Sequence, residues 1–251
     1  MISKAKIKWI KSLSQRKNRM AEGVFVAEGH KLVGEMMACS KPLYLCALQE
    51  WFDSNSNMDC HGFAHDTITR DELERVSLMR NPQDVVAVFP FVRHPLPDGL
   101  AQRELCLALD GIQDPGNLGT ILRIADWFGI RHVVCSCDTV DVYNPKVVQA
   151  TMGALARVHV HYVDLPQFLC QCNAPVYGTL LDGSDIYGQD LTHNGVIVMG
   201  NEGNGISPEV RKLVDKRLLI PNYPLGSDTT DSLNVAVATA IVCSEFRRRQ
   251  H

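Results

Sequence analysis

The chain has no apolar stretch approaching the length of a membrane span, which argues against a membrane-spanning helix. Its first twenty residues, MISKAKIKWIKSLSQRKNRM, lack the continuous apolar segment of a secretory signal. They also lack any acidic residue, so a mitochondrial presequence is compatible with them, although the run leads almost at once into strand-like sequence. No Cys-x-x-Cys pair occurs, and the nine cysteines are odd in number and scattered, unlike a secreted disulfide framework. A reducing cytoplasm is therefore expected. Cys135 with Cys137, and Cys170 with Cys172, are spaced as Cys-x-Cys, which suits small apolar core residues better than a zinc site, and no metal is expected. Internal repeats and low-complexity segments are absent too.

What is present is a chain of 251 residues, 45% apolar and 21% charged, enough to bury one large core or two modest ones. The net charge of −3 conceals an uneven distribution. Residues 1–20 carry seven basic residues and no acid, 21–100 carry six against twelve, and 101–251 carry twelve against sixteen. A basic segment on an acidic body points to a polyanion contact or to a solvated helix face; charge alone does not separate the two.

Strand-like and helix-like runs alternate throughout, which predicts α/β architecture with mostly parallel sheets. GVFVAEG, PLYLCAL, HGFAHDTI and DVVAVF form a first series, with a short helix in TRDELERVSLM opened by a Thr69–Glu72 capping box. RHPLPDGLAQR, residues 93–103, has prolines, a glycine and no hydrophobic period and reads as a linker. A second series follows in LCLALD, HVVCSC, VHVHYV, PVYGTLL, GVIVMG and RLLIP. Asn144 before Pro145 and Ser207 before Pro208 are helix-start signals. The expected domains are residues 1–92 and 104–251.

Three stretches carry candidate chemistry. In VMGNEGNGIS, the order Gly200, Gly203, Gly205 reverses the dinucleotide fingerprint, and the loop has no lysine for a P-loop but holds Glu202, which repels phosphate. A cationic ligand such as S-adenosylmethionine fits better, while a loop that only caps a sheet remains open. In LALDGIQDPGNLGTILRIADWFGI a buried strand ends at Asp110 and a helix runs to Gly129, with Leu118, Ile121, Leu122 and Ala125 on its apolar face. Asn117 there is a cap or a site residue; Arg123 snorkels to solvent or binds phosphate. In LLIPNYPLGSDTTDSLNVAVATAIVCSEFRRR a helix is expected from about Ser232, its alanines serving a dimer face or ordinary core packing, its terminal arginines solvated.

In this order, NLGTILRIADWFG, IVMGNEGNGIS and IPNY…SDTTDSLNVAVATAI resemble the three signature motifs of the SpoU (TrmH-type) RNA ribose 2′-O-methyltransferases of the SPOUT class, a likeness covering residues 104–251. SLSQRKNRMAEGVFVAEGHKLVGEMM is similar to the small α/β substrate-binding domain found ahead of the catalytic domain in many members. The resemblance implies a small N-terminal α/β RNA-binding domain and a C-terminal α/β SPOUT domain with a deep trefoil knot. It also implies S-adenosylmethionine as cofactor, RNA as substrate with ribosomal RNA favoured over transfer RNA, and a homodimer through the C-terminal domain.

Matched by motif, the implied catalytic residues are Asn117, Arg123, Glu202, Ser232 and Asn234. The implied cofactor contacts are Thr179, Leu180, Gly200, Ile220 and Leu233. Arg123 is read as a clamp on an RNA phosphate, and Glu202 as fixing Arg123 or the loop backbone. Lys8, Lys11, Arg16, Lys17 and Arg19 are expected to contact RNA with Arg123. The loop NYPLGSDTTD is longer than the family's and brings Asp228 and Asp231. A transfer-RNA methyltransferase, a non-catalytic RNA-binding assembly protein and a nucleotide-dependent α/β enzyme are the alternative readings.

Overall fold

The computed structural model describes residues 1–56, 62–224, 227 and 230–249. They form two compact units: Met1–Arg93 with Asp141–Ala156, and His94–Val140 with Arg157–His251. No helix among the described residues is long and apolar enough to cross a membrane.

The first unit runs α1 (Lys4–Ser12), α2 (Arg16–Glu22), β1 (Val24–Glu28), α3 (His30–Met37), β2 (Tyr44–Ala47), α4 (Gln49–Ser54), β3 (Ala64–Thr67), α5 (Arg70–Val76) and β4 (Val85–Pro90). Its sheet has the order β1-β4-β2-β3, with β4 antiparallel to both β1 and β2 and only β2–β3 parallel. The expectation of mostly parallel sheets fails here because β4 returns between β1 and β2 after α5. Period-two alternation divides the strands between two cores. Val24, Val26, Tyr44, Cys46, Val86 and Val88 face α1 and α5, whereas Phe25, Ala27, Leu45, Ala47, Val85 and Phe89 face α3 and α4. Burial on both faces explains why these strands read as continuous apolar runs. Asp59, Cys60 and His61, the last the expected start of β3, lie outside the described residues. The Thr69 capping box on α5 is formed.

The second unit runs α6 (Leu100–Arg103), β5 (Leu105–Asp110), α7 (Pro115–Trp127) and β6 (His132–Ser136). The chain then gives α8 (Pro145–Ala150) to the first unit and continues with β7 (His159–Val163), α9 (Leu165–Gln171), β8 (Val176–Asp185), β9 (Gly195–Gly200), α10 (Pro208–Arg211), β10 (Lys216–Leu219) and α11 (Val235–Arg248). All pairings in the sheet β10-β8-β9-β5-β6-β7 are parallel. Leu100 and Ala101, within the expected linker, are core residues packed with Cys106, Val196 and Val198. α7 and α11 pack together, α7 against β6 and α11 against β9. At one end of β6 and β7, His132 Nδ1 lies 3.1 Å from His161 Nε2, and the His94 ring stacks on His159 with centroids 3.5 Å apart.

Two long-range attachments escaped the sequence reading. Arg19 is 1% exposed: its guanidinium donates to Leu13 O (2.8 Å) and Ser14 O (2.9 Å) and pairs with Asp141 (2.6 Å). A buried charge persists only when paired, so this arginine ties residues 141–156 to the first unit and is unavailable to RNA. Tyr143 adds a stack on Phe91, with centroids 4.1 Å apart. The C-terminal arginines are likewise not simply solvated: Arg248 and Arg249 pair with Glu245 (2.8 Å each), Arg249 also donates to Ile186 O and Tyr187 O, and Arg247 donates to Phe128 O.

Candidate active site

The carboxyl ends of β5, β8, β9 and β10 lie on one edge of the second sheet, the edge where open parallel sheets place their ligands. After β5, Gly111 turns the chain with φ +72°, and Asp114 caps α7 by accepting from Asn117 N (2.8 Å). Asn117 is therefore the third residue of the helix and not its cap. After β9, the glycine loop closes on itself through reciprocal backbone bonds between Asn201 and Gly205 (2.9 Å each). A Cβ on Gly200 would lie 2.2 Å from the Gly205 carbonyl carbon, so this glycine is required by loop closure. Asn201, which the sequence reading missed, organises the turn: its Oδ1 accepts from Gly203 N (3.0 Å) and Asn204 N (2.9 Å), and its Nδ2 donates to Gly111 O (2.6 Å). An asparagine bonding the backbone two and three residues on is an Asx-turn, legible in Asn201-x-Gly.

Glu202 accepts from Gln113 N (3.2 Å), Asp114 N (3.1 Å) and Asn117 Nδ2 (3.0 Å). Of its two expected targets it fixes the backbone and not Arg123. Partial burial pushes its carboxyl up, but the bonds from Asn117 and the Asp114 and Gln113 amides outweigh that and hold it below the usual range. Asn117 Oδ1 in turn accepts from Asn234 Nδ2 (3.0 Å), and Asn234 Oδ1 caps α11 through Ala236 N (3.0 Å) and Val237 N (3.3 Å). The three stretches singled out in the sequence are thus joined by one hydrogen-bonded line. α11 begins at Val235 with Asn234 as cap, and Ser232 precedes it.

Beside this line opens a cavity of ≈ 510 Å³. Thr179, Leu180, Gly200, Ile220 and Leu233 all line it, as do Glu202 and Ser232, whereas Asn117, Arg123 and Asn234 are not in its wall. Among the described residues three carboxylates border it: Glu202, Asp231 and Asp182, the last paired with Arg211 (2.5 Å) and Arg217 (2.8 Å). Asp228, from the same long loop as Asp231, lies outside the described residues. Arg123 is exposed on α7 and makes no hydrogen bond or ion pair among the described residues. Ser207 stands at the start of α10 but its side chain makes no cap bond; its N–H donates to Asp110 (2.7 Å).

In the first unit Lys8, Lys11, Arg16 and Lys17 are exposed, Lys11 donating to Ser77 O. No disulfide is formed between described cysteines, and no cluster of three His, Cys, Asp or Glu among the described residues could hold a metal.

Residues 104–244 match the SpoU rRNA methylase family and residues 4–87 match the MRM3-like substrate-binding domain. The chain belongs to the SpoU rRNA methylase family and is a methyltransferase. It is 30% identical over 247 residues to the 23S rRNA (guanosine(2553)-2′-O)-methyltransferase RlmP of Bacillus subtilis, covering 96% of each chain. Among solved structures it is similar to a chain from Porphyromonas gingivalis assigned to the TrmH family of RNA methyltransferases, with 42% identity, 99% of each chain covered and a TM-score of 0.89. It also resembles the AdoMet-bound rRNA methyltransferase of Sinorhizobium meliloti, with 29% identity, 100% and 97% covered and a TM-score of 0.88.

Proposed function

We propose that this chain transfers the methyl group of S-adenosylmethionine to a ribose 2′-hydroxyl of ribosomal RNA in the cytoplasm. The first unit holds the RNA and the second, with the knotted threading of its family, performs the transfer. The observation that carries the reading is the line Glu202–Asn117–Asn234, which starts in the cavity wall and locks three separate stretches of chain around it.

The cavity suits this donor. Leu180, Met199, Ile206, Leu218, Ile220 and Leu233 offer an apolar surface for a purine, and Glu202 and Asp231 a negative field for a sulfonium. The cationic side chain in its wall, Arg211, is neutralised by Asp182. When bound, S-adenosylmethionine supplies a methyl group on a positively charged sulfur, open to in-line displacement.

The chain's own residues position the acceptor. Both ends of the Asn117 amide are committed to Glu202 and Asn234, so Asn117 and Asn234 hold the frame. Orientation of the ribose falls to Ser232, whose hydroxyl stands at the cavity wall without a hydrogen bond among the described residues. Arg123 is free to grip the phosphate beside the reacting ribose and to stabilise the developing alkoxide. It is a poor base, because a guanidinium with a pKa above ~12 resists deprotonation, and a phosphate partner strengthens that resistance.

A homodimer through the second unit completes the reading. Trp127 on α7 is 84% exposed and Val237 on α11 is 50% exposed, large apolar groups of the kind a second copy covers. Ala236 is buried within the chain and Ala238 lines the cavity. Purified protein incubated with tritiated S-adenosylmethionine should label 23S rRNA and not bulk transfer RNA. Label in transfer RNA alone would overturn the substrate assignment, and failure to bind S-adenosylhomocysteine would favour a non-catalytic RNA-binding protein.

A further inference from the structure

The first unit contains a cavity of its own, of ≈ 730 Å³ and therefore in the size range of ligand sites. Trp51 stands in its wall, 3% exposed, and its indole N–H is buried without any hydrogen-bond acceptor among the described residues. Buried donors in native proteins are nearly always paired, so an orphan beside a cavity marks a place for an acceptor brought by a ligand. Phe63 adds an aromatic face. Asn55 spends its Nδ2 on Trp51 O (2.7 Å) and leaves its Oδ1 unused.

Among the described residues, Lys41 and His30 line the cavity and no carboxylate does. Lys41 has no ion pair or hydrogen bond among the described residues. Its ammonium lies over Gly62, where a Cβ would come within 1.6 Å of Nζ, so the absence of a side chain at residue 62 is what lets the lysine lie there. An aromatic wall, an unpaired N–H donor, an unused amide oxygen and an unpaired ammonium together describe a planar heterocycle that carries an anionic group. Unpaired nucleotides of RNA have this chemistry, and single-stranded segments are where proteins read RNA bases.

Resting on the reading of this chain as an RNA methyltransferase, we infer that the cavity between α3, α4 and β3 receives one unpaired nucleotide of the substrate RNA. The base edge accepts the Trp51 N–H against Phe63, and its phosphate sits on Lys41. The exposed Lys8, Arg16 and Lys17 supply contacts that do not depend on sequence.

The test uses the full chain with a fluorescein-labelled single-stranded 12-mer oligoribonucleotide, the same 12-mer as a duplex, and the four nucleoside monophosphates as competitors. Trp51→Phe, which keeps the ring and removes the N–H, should weaken single-strand binding about 3–10-fold, the loss of one hydrogen bond. Lys41→Ala should lower the salt slope by roughly 0.7, one phosphate contact on a single strand. Gly62→Ala should shift the ammonium of the flexible Lys41 and give a smaller loss than Lys41→Ala, with the salt slope retained. In all three, duplex binding and S-adenosylhomocysteine affinity should stay unchanged, which also reports a normal fold. Unchanged single-strand affinity in both Trp51→Phe and Lys41→Ala, with wild type still methylating RNA, would overturn the pocket and leave the proposed function standing. Equal losses on duplex would overturn it in favour of a general phosphate surface. Strong competition by monophosphates with no effect of the variants on RNA binding would overturn it in favour of a free nucleotide. Wild type that neither binds nor methylates RNA would instead defeat the functional reading.

Discussion

The two units carry cavities of opposite character. In the first, a sheet with antiparallel pairings supports a wall of aromatic and basic residues with no carboxylate among the described residues; in the second, an all-parallel sheet gathers Asp182, Glu202 and Asp231 at its carboxyl edge. The net charge of −3 conceals this: the first unit carries 14 basic against 12 acidic residues, and the second 11 against 16. The contrast teaches that ligand charge is selected by a few side chains in each wall: an anionic nucleotide for the first, a sulfonium for the second.

That division of labour can be broken from either side. The largest effect is expected for Arg123→Ala, which should reduce turnover by about 10²–10³-fold, the scale for losing a donor that stabilises transition-state charge. Affinity for S-adenosylhomocysteine, read by calorimetry, should hardly change, because Arg123 is outside the cavity wall. Glu202→Gln comes next. A neutral amide cannot satisfy the Gln113, Asp114 and Asn117 donors together, so cofactor affinity should fall by roughly tenfold, equivalent to one charge-assisted hydrogen bond. Arg16→Ala with Lys17→Ala should act on the other unit only, flattening the salt dependence of RNA binding by roughly 0.7 per phosphate contact in a filter-binding series.

A smaller effect separates the units by pH. Burial first, and then the neighbouring imidazoles and Arg131, hold His159 down to about 4; burial and the imidazoles of His132, His159 and His94 do the same to His161. Between their ordinary value near 6.5 and about 4, the unfolded chain takes up protons that the folded second unit does not, so stability falls as pH drops through that window. The thermal midpoint should fall by about 2–4 °C per pH unit below pH 6.5, and His161→Asn should reduce the slope. Last, Thr69→Ala removes the capping box of the first unit and should cost about 1 kcal/mol by urea titration, without altering methyl transfer.

How much of this could be read in advance differs by feature. Strands buried on both faces announced themselves through continuous apolar runs, and the apolar side of α7 through its helical period. The gathering of Gly200, Ile220 and Leu233 around one cavity was legible through motif likeness, because each sits at a strand end or loop within a motif, whereas Thr179 and Leu180, inside β8, were placed there only by the wider family resemblance. Single polar residues acting over long sequence distances were not legible. Arg19 read as part of a basic surface because nothing local marks Asp141 as its partner, and the terminal arginines read as solvated because Glu245 and the carbonyls near Ile186 are joined to them only by folding. Asn201 was passed over in favour of the charged neighbour that it helps to place. The return of β4 between β1 and β2 depends on pairing that alternation alone cannot specify.

The most direct test of the account is alkaline hydrolysis of 23S rRNA after incubation with the purified protein and tritiated S-adenosylmethionine. A methylated 2′-oxygen cannot attack the neighbouring phosphate, so the account predicts label in a single alkali-resistant dinucleotide with wild type and none with Arg123→Ala. Label released entirely as mononucleotide, which places the methyl on a base, or equal label with Arg123→Ala, would contradict it.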